Sequence, residues 1–153
     1  MIRIQQEDFD IGAEIARIRA GRSDIGAVVT FLGTVRDQRG AVTEMTLEHY
    51  PGMTERELQR IEREAGARWK LQASLIVHRY GTLKSGDTIV LVATASEHRD
   101  AAFEAARFIM DYLKTSAPFW KREAGPGGAR WVEAEARDHN AASRWHDKKH
   151  AAE

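Results

Sequence analysis

We predict an α+β fold in a single domain, with helices packed against a mixed or antiparallel sheet. Strand-like and helix-like segments alternate along the 153 residues without the regular βαβ order of a parallel sheet. The length suits one domain, and 42% hydrophobic against 30% charged residues is ordinary for a folded protein. We find no internal repeat, and the low-complexity pieces are AGPGGAR at 124–130 and HDKKHAAE at 146–153. We therefore expect a domain over 1–145 and a polar tail over 146–153.

The first half of the chain predicts three strands and two helices. A short strand at 2–4 precedes a helix at 11–18. Segments 27–35 and 42–50 flank the turn-like DQRG, and the second alternates with Met45 and Leu47 inward, which predicts a β-hairpin. Thr54 with Glu57 three residues later has the pattern of a capping box and predicts a helix to about residue 69.

The second half predicts a strand pair, a long helix and another strand pair. Segments 75–80 and 88–95 flank LKSGD, and the second is apolar on both faces, as a central strand is. Ser96 as N-cap predicts a helix from about 97 to 114, which Pro118 cannot continue. Strands at 119–123 and 131–135 and a short helix near 140–145 complete the pattern.

The composition excludes several classes of function. Lys plus Arg and Asp plus Glu number 23 each, so no overall field attracts nucleic acid or an acidic membrane, and an anion site must be local. A chain without cysteine has no disulfide, no thiolate metal site and no cysteine nucleophile. No cluster of His and carboxylate has the spacing of metal ligands, so we expect no metal and no cofactor. No apolar run reaches the ~18 residues of a membrane span, and the acidic N-terminal stretch is unlike a signal peptide, so we expect a cytoplasmic location.

The stretch KTSAPFWKRE at 114–123 crowds cations around Phe119 and Trp120, and two interpretations fit it. One is a helix end followed by an amphipathic strand, because cations favour a helix C-terminus and long stems lie along aromatic faces. The other is an anion pocket. In that pocket, Lys121, Arg122 and the aromatic walls would penalise the charged form of Lys114, as a nucleophile or a proton shuttle requires.

Two further segments place cations where an anion could bind. FLGTVRD puts Arg36 at the exit of an apolar strand, where a solvated turn residue is the alternative. SEHRD puts His98 and Arg99 in the first turn of the long helix. Free backbone N–H groups attract anions there, and arginine adds a bidentate fork for phosphate. Pairing of Arg99 with neighbouring Glu97 or Asp100 explains the same pattern equally well.

Five segments lie in order from about Gly26 to Glu135: GAVVTFLGTVRD, TLEHYPGM followed by a helix, ASEHRDAAFEA, FIMDYLKTSAPFWKRE and RWVEA. Together they resemble the catalytic (large) subunit of molybdopterin synthase. The resemblance implies an α/β-hammerhead-like fold and a sulfurtransferase of molybdenum cofactor biosynthesis. Its partner would be a small ubiquitin-like subunit with a C-terminal Gly-Gly thiocarboxylate. Its substrate would be cyclic pyranopterin monophosphate (precursor Z), which gains two dithiolene sulfurs to become molybdopterin. The absence of cysteine fits, because the sulfur arrives on the partner.

The resemblance also assigns roles to residues. Lys114 is the first candidate for the general acid/base or nucleophile, and Lys121 is the second. The segments that match the family's substrate contacts contain Thr34, Val35, Arg36, His98, Arg99, Lys114, Lys121, Arg122 and Glu123, with Phe31 and Met110 lining the pocket. Arg36, His98 and Arg99 would hold phosphate. Residues 99 and 114 are roughly 22 Å apart on one helix, yet the resemblance assigns both to substrate binding, so we expect a homodimer whose two chains share each pocket. With the small partner subunit, the resemblance implies a heterotetramer.

Two other classes of function remain open. In a binding module without catalysis, Phe119 and Trp120 would stack on bases while the cations hold phosphates, although the balanced charge argues against nucleic acid. A non-catalytic scaffold predicts instead that Lys114→Ala leaves all activity intact.

Overall fold

Two four-stranded sheets form the framework. The computed structural model describes residues 1–132 and 136–147. The strands are β1 (Ile2–Gln5), β2 (Ala27–Thr34), β3 (Glu44–His49), β4 (Ala73–Arg79), β5 (Gly81–Lys84), β6 (Thr88–Ser96), β7 (Phe119–Gly125) and β8 (Gly128–Val132). The helices are α1 (Ile11–Arg19), α2 (Met53–Trp69), α3 (Arg99–Thr115) and α4 (Ala136–Asp147).

The first sheet has the order β1-β4-β6-β2, with β1 parallel to β4 and the other pairs antiparallel. Strand β6 lies in the middle, as its apolar sequence predicts. Ile76 and Val92 face a core that includes Phe108 of α3, and Val77 and Leu91 face the other side, against α1. The predicted α+β class with a mixed sheet is confirmed.

The second sheet has the order β5-β3-β7-β8, and all its strands are antiparallel. Met45 and Leu47 of β3 point inward as predicted and are 5% exposed each. They form a small core with Val35, Val42 and Leu83. The chain passes from β4 in the first sheet to β5 in the second, then returns to the first at β6. The two sheets are therefore joined by continuous chain.

The predicted hairpin of β2 and β3 is wrong, because the two strands belong to different sheets. Strand β2 pairs with β6 over its whole length, whereas β3 pairs with β5 and β7. After β2 the chain is fixed by Val35, whose backbone N–H donates to the Asp87 carbonyl at 2.9 Å. Strand β6 is buried on both faces and needs a neighbour on each side, and β2 supplies the second one.

Both predicted N-caps are displaced by two residues. Gly52, not Thr54, caps α2, and its N–H donates to Glu55 Oε2 at 2.5 Å. Thr54 is fully buried, and its hydroxyl donates to the Pro118 carbonyl at 3.1 Å. His98, not Ser96, caps α3, because β6 continues through Ser96.

The last described segment is longer than predicted. Helix α4 continues to Asp147, past the expected domain boundary at 145, and residues 133–135 and 148–153 of the predicted strand and tail lie outside the described residues. Trp145 of α4 is fully buried against Trp69 and Phe108, and its Nε1 donates to Asp111 Oδ2 at 2.7 Å. None of the helices within the described ranges is long and apolar enough to cross a membrane.

Candidate active site

The chain turns sharply between Lys114 and Lys121. Lys114 is exposed and lies in the last turn of α3. Ser116 is the C-cap of this helix, and its N–H donates to the Tyr112 carbonyl at 2.8 Å. Pro118 cannot continue the helix, and β7 begins at Phe119. The two lysines therefore flank Phe119, one at a helix end and one on a strand.

Strand alternation separates the residues of β7 into two faces. Lys121 is paired with Leu47 and Glu123 with Met45, so these two side chains share the inner face with Phe119. Arg122 is paired with Thr46 on the opposite, outer face. The structure therefore does not bring Arg122 to Lys121, although the sequence interpretation grouped them in one pocket.

Glu123 organises the inner face of β7. Its carboxylate is 5% exposed and accepts a hydrogen bond from Gln38 Nε2 at 3.4 Å. Lys121 Nζ lies 3.9 Å from Oε1, and Arg130 Nη2 lies 3.8 Å from Oε2. A buried carboxylate is costly unless it is paired, so Glu123 holds both cations toward itself. Sequence reasoning missed Gln38 and Arg130, because the first follows β2 and the second lies on β8.

The residues at the end of β2 and directly after it lie partly on the surface and partly in the core. Thr34 and Arg36 are exposed, as substrate-contacting residues must be. Val35 is 2% exposed, and its carbonyl accepts from Gly86 N–H at 2.7 Å. The expectation that Val35 contacts substrate stays a prediction, and in this structure both its side chain and its backbone groups are used within the fold.

His98 and Arg99 lie at the other end of α3 from Lys114. Helix α3 runs antiparallel to β6, since Thr94 near the end of β6 donates to the Ala102 carbonyl near the start of the helix at 2.7 Å. The helix is continuous from Arg99 to Thr115, so roughly 22 Å separates Arg99 from Lys114 along its axis. One chain does not bring these two groups into one small pocket.

The side chains of His98 and Arg99 at this second end are largely exposed to solvent. The side chains of His98 and Arg99 are 81% and 84% exposed. His98 Nε2 lies 3.8 Å from Glu97 Oε1, and Arg99 Nε lies 3.8 Å from Asp100 Oδ1. The expected pairing of Arg99 with a neighbouring carboxylate is therefore present, but at a long distance. Exposed pairs at this distance contribute little to stability, and both side chains are available to a ligand.

The two residues expected to line the pocket lie on different elements. Met110 is partly buried against the main core, one turn before Lys114 on the same side of α3. Phe31 is 39% exposed on β2, which is an edge strand of the first sheet. Met110 is therefore near the Lys114 end, and Phe31 is on an open edge.

Phe119 is covered by a buried histidine that the sequence interpretation did not single out. The rings of His78 and Phe119 are stacked, with centroids 3.8 Å apart and planes inclined by 15°. Burial lowers the pKa of His78 to about 4, and the positive charge of nearby Lys114 adds to this effect. His78 is therefore neutral at pH 7. His78 occupies one face of the Phe119 ring, so that face is unavailable for the base stacking that a nucleic-acid-binding module would require.

Comparison with known proteins places these features in a family. The family model described as MoaE protein matches residues 4–116. The chain belongs to the MoaE family. It is 55% identical to a molybdopterin synthase catalytic subunit of Mesorhizobium japonicum over 94% of this chain and 92% of that protein. The MoaE match includes Arg36, His98, Arg99 and Lys114, and this relative extends the similarity over most of the chain.

Solved structures of MoaE relatives share the fold. A molybdopterin biosynthesis MoaE protein from Burkholderia ambifaria has a TM-score of 0.83 and 53% identity, with 95% of this chain and 97% of that chain covered. A complex of subunits 1 and 2 of molybdopterin-converting factor from Helicobacter pylori has a TM-score of 0.71 over 89% of this chain and 91% of that chain. Its identity is 19%, so it supports the fold alone. No group of three metal-ligating side chains converges within residues 1–132 and 136–147.

Proposed function

We propose that this chain is the catalytic subunit of a molybdopterin synthase and acts with a small ubiquitin-like sulfur carrier. The carrier's C-terminal thiocarboxylate gives up one sulfur and ends as a carboxylate, and two such transfers build the dithiolene on precursor Z. The observation that carries the proposal is the pair of lysines flanking Phe119, in a chain whose relatives are named as this subunit.

The two lysines have different surroundings, which suggests different roles. Lys114 is exposed at the end of α3, where its ammonium group can meet an incoming carbonyl or phosphate. It is the first candidate for proton transfer to the oxygen that leaves, or for nucleophilic attack. Lys121 is held near Glu123 and is the second candidate, with a fixed position suited to binding an anion. Arg36, His98 and Arg99 are candidates for the phosphate.

A homodimer would unite the two ends of α3 in one pocket. Strand β2 has no neighbour on its outer side within the described chain, and Phe31 and Leu32 on it are each 39% exposed. The N-terminal end of β2 lies beside Ser96, which is close in sequence to His98 and Arg99. The C-terminal end of β2 leads into Arg36. Antiparallel pairing of two β2 edges about a two-fold axis would place the His98 end of one chain against the Arg36 end of the other.

The catalytic assignment is tested by reconstitution. The purified chain is mixed with thiocarboxylated carrier and precursor Z, and molybdopterin is measured. We expect Lys114→Ala to abolish turnover while the variant stays folded, because an exposed helix-end lysine contributes little to the core. Lys84→Ala, at an exposed lysine of β5, is the matched control and should retain activity. Normal turnover by Lys114→Ala would remove Lys114 from the mechanism.

The shared pocket is tested with mixed dimers. An Arg99→Ala chain and a Lys114→Ala chain are mixed under conditions where subunits exchange. A shared site leaves one intact pocket in each mixed dimer, so activity should return from two inactive preparations. If exchange is confirmed by native mass spectrometry and no activity returns, each pocket is built from one chain.

A further inference from the structure

The junction of the two sheets contains a row of rings. His78 comes from β4 of the first sheet and stacks on Phe119 from β7 of the second. On the second sheet Phe119 is paired with His49, whose ring lies 6.4 Å from that of Phe119 and 4.6 Å from that of Tyr80. The row therefore runs from His78 on β4 through Phe119 and His49 of the second sheet to Tyr80, which directly follows β4.

Hydrogen bonding fixes the orientation of the His78 ring. Nδ1 lies 2.8 Å from the Arg79 carbonyl oxygen. A carbonyl oxygen only accepts, so Nδ1 carries the proton and donates it in this bond. The ring is 8% exposed, and the titratable groups with an electrostatic effect on it are Lys114 from α3 and His49 from β3. A neutral His78 adds no positive charge beside Lys114.

We propose that His78 is a positioning residue for the sulfur-transfer site and acts through Phe119 on Lys121 and Lys114. The inference rests on the proposed function. The flat ring of His78 packs against one face of the Phe119 ring. Since Phe119 is the first residue of β7, this contact fixes the start of β7 against the first sheet. The position of Lys121, two residues further on the same face, follows from that of Phe119. The distance from Lys121 to Lys114 is thereby set by contact with the sheet on which α3 packs.

Comparison of His78 with its neighbour on β4 shows why an aliphatic side chain would hold Phe119 less firmly. Ile76 faces the same way and belongs to the main core, where aliphatic packing suffices. At His78 the partner is a single aromatic ring in nearly parallel contact, and stacked rings gain more from flat contact than aliphatic chains do. Because a small displacement of a catalytic group lowers the reaction rate strongly, a contact that fixes the lysines affects the rate.

The test compares three variants in the full chain. His78→Phe keeps a flat neutral ring, and His78→Ala removes the ring. Val77→Ala is the control, because Val77 is fully buried on the opposite face of β4 and its truncation weakens the fold without touching Phe119. Steady-state molybdopterin synthesis gives kcat and KM for precursor Z, with the folded fraction of each variant measured at the assay temperature.

We expect His78→Ala to lower kcat by about 10-fold or more with KM changed by less than about 2-fold, because the lysines move while the phosphate ligands stay. His78→Phe should recover most of kcat, and Val77→Ala should match wild type per folded molecule. Unchanged kcat in His78→Ala, or an equal loss in Val77→Ala, would overturn the inference.

A second measurement separates this inference from the proposed function. NMR of the ¹³C-methylated lysines reports the surroundings of Lys114 and Lys121 without any turnover. His78→Ala should shift both signals and leave that of Lys84 in place, whereas His78→Phe should shift them less. Unmoved signals would refute the positioning role. A wild-type chain that makes no molybdopterin would refute the proposed function, and the lysine signals would still decide the role of His78.

Discussion

Acidification should destabilise the folded chain through His78. Its pKa is about 4 in the folded protein, against an ordinary value of 6.5, because burial disfavours the charged ring. The unfolded chain therefore binds a proton at a higher pH than the folded chain does. The stabilisation is fully present above pH 6.5 and is lost as the pH falls from 6.5 to 4.

The size of the effect follows from the difference between the two pKa values. A difference of about 2.5 pKa units corresponds to about 3 kcal/mol, at about 1.4 kcal/mol per unit. The linkage relation gives a loss of about 2 kcal/mol between pH 7.5 and pH 5, and about 3 kcal/mol by pH 4. A loss of this size is a large fraction of a typical domain's stability.

Urea denaturation at several pH values, at one protein concentration, measures this loss. His78→Phe is the reference, because it keeps the ring and has no proton to bind. All other acidic and basic groups are common to both proteins, so the difference between the two pH profiles isolates His78. We expect the wild type to lose about 2 kcal/mol more than His78→Phe between pH 7.5 and 5. Parallel profiles would show that His78 is not buried in its neutral form.

Three further predictions concern other parts of the site and fold. Glu123→Gln should lower kcat/KM by roughly 10-fold in the molybdopterin assay, because Lys121 loses a charged neighbour; an unchanged value would show that Glu123 does not hold the lysine. Trp145→Phe should reduce the free energy of unfolding by about 1–3 kcal/mol, since a buried hydrogen bond and core volume are both lost; a change under about 0.5 kcal/mol in urea melts would contradict the packing of α4. Gly125→Ala should destabilise the second sheet, because a Cβ there would lie 2.0 Å from the Ala41 carbonyl oxygen, and a melting temperature equal to that of wild type would refute this.

The local sequence pattern was sufficient to predict most helices and strands but not which strands pair with one another. The alternation in β3 and the apolar run of β6 predicted which side chains are buried, and both predictions are confirmed. The β2–β3 hairpin was wrong because a turn-like sequence between two strands does not show which strand each one pairs with. Strand β3 finds its partner β7 about 75 residues later in the chain, and no local signal reveals such a pairing.

For the candidate site, the sequence indicated candidate residues but not how the fold groups them, and their roles stay predictions. Lys114 and Arg36 are exposed, whereas Val35 is buried. The separation of Arg122 from Lys121 follows from strand alternation alone, so the sequence contained that signal. The sequence contained no signal for the role of His78, because a single histidine in an apolar strand is usually a core residue with satisfied hydrogen bonds.

The pairing of β3 with β7 also determines when the site can form during synthesis. All strands of the first sheet are complete once Ser96 has been made, and α3 is complete at Thr115. Strand β7 follows, and its partner on the other side, β8, ends at Val132. Pairings that are distant in sequence form late, and N-terminal parts fold first on the ribosome. A chain that stops growing after Thr115 thus has Lys114 but neither Lys121 nor the strand that orders it, so the pair of lysines is in place only after β7 and β8 have been made.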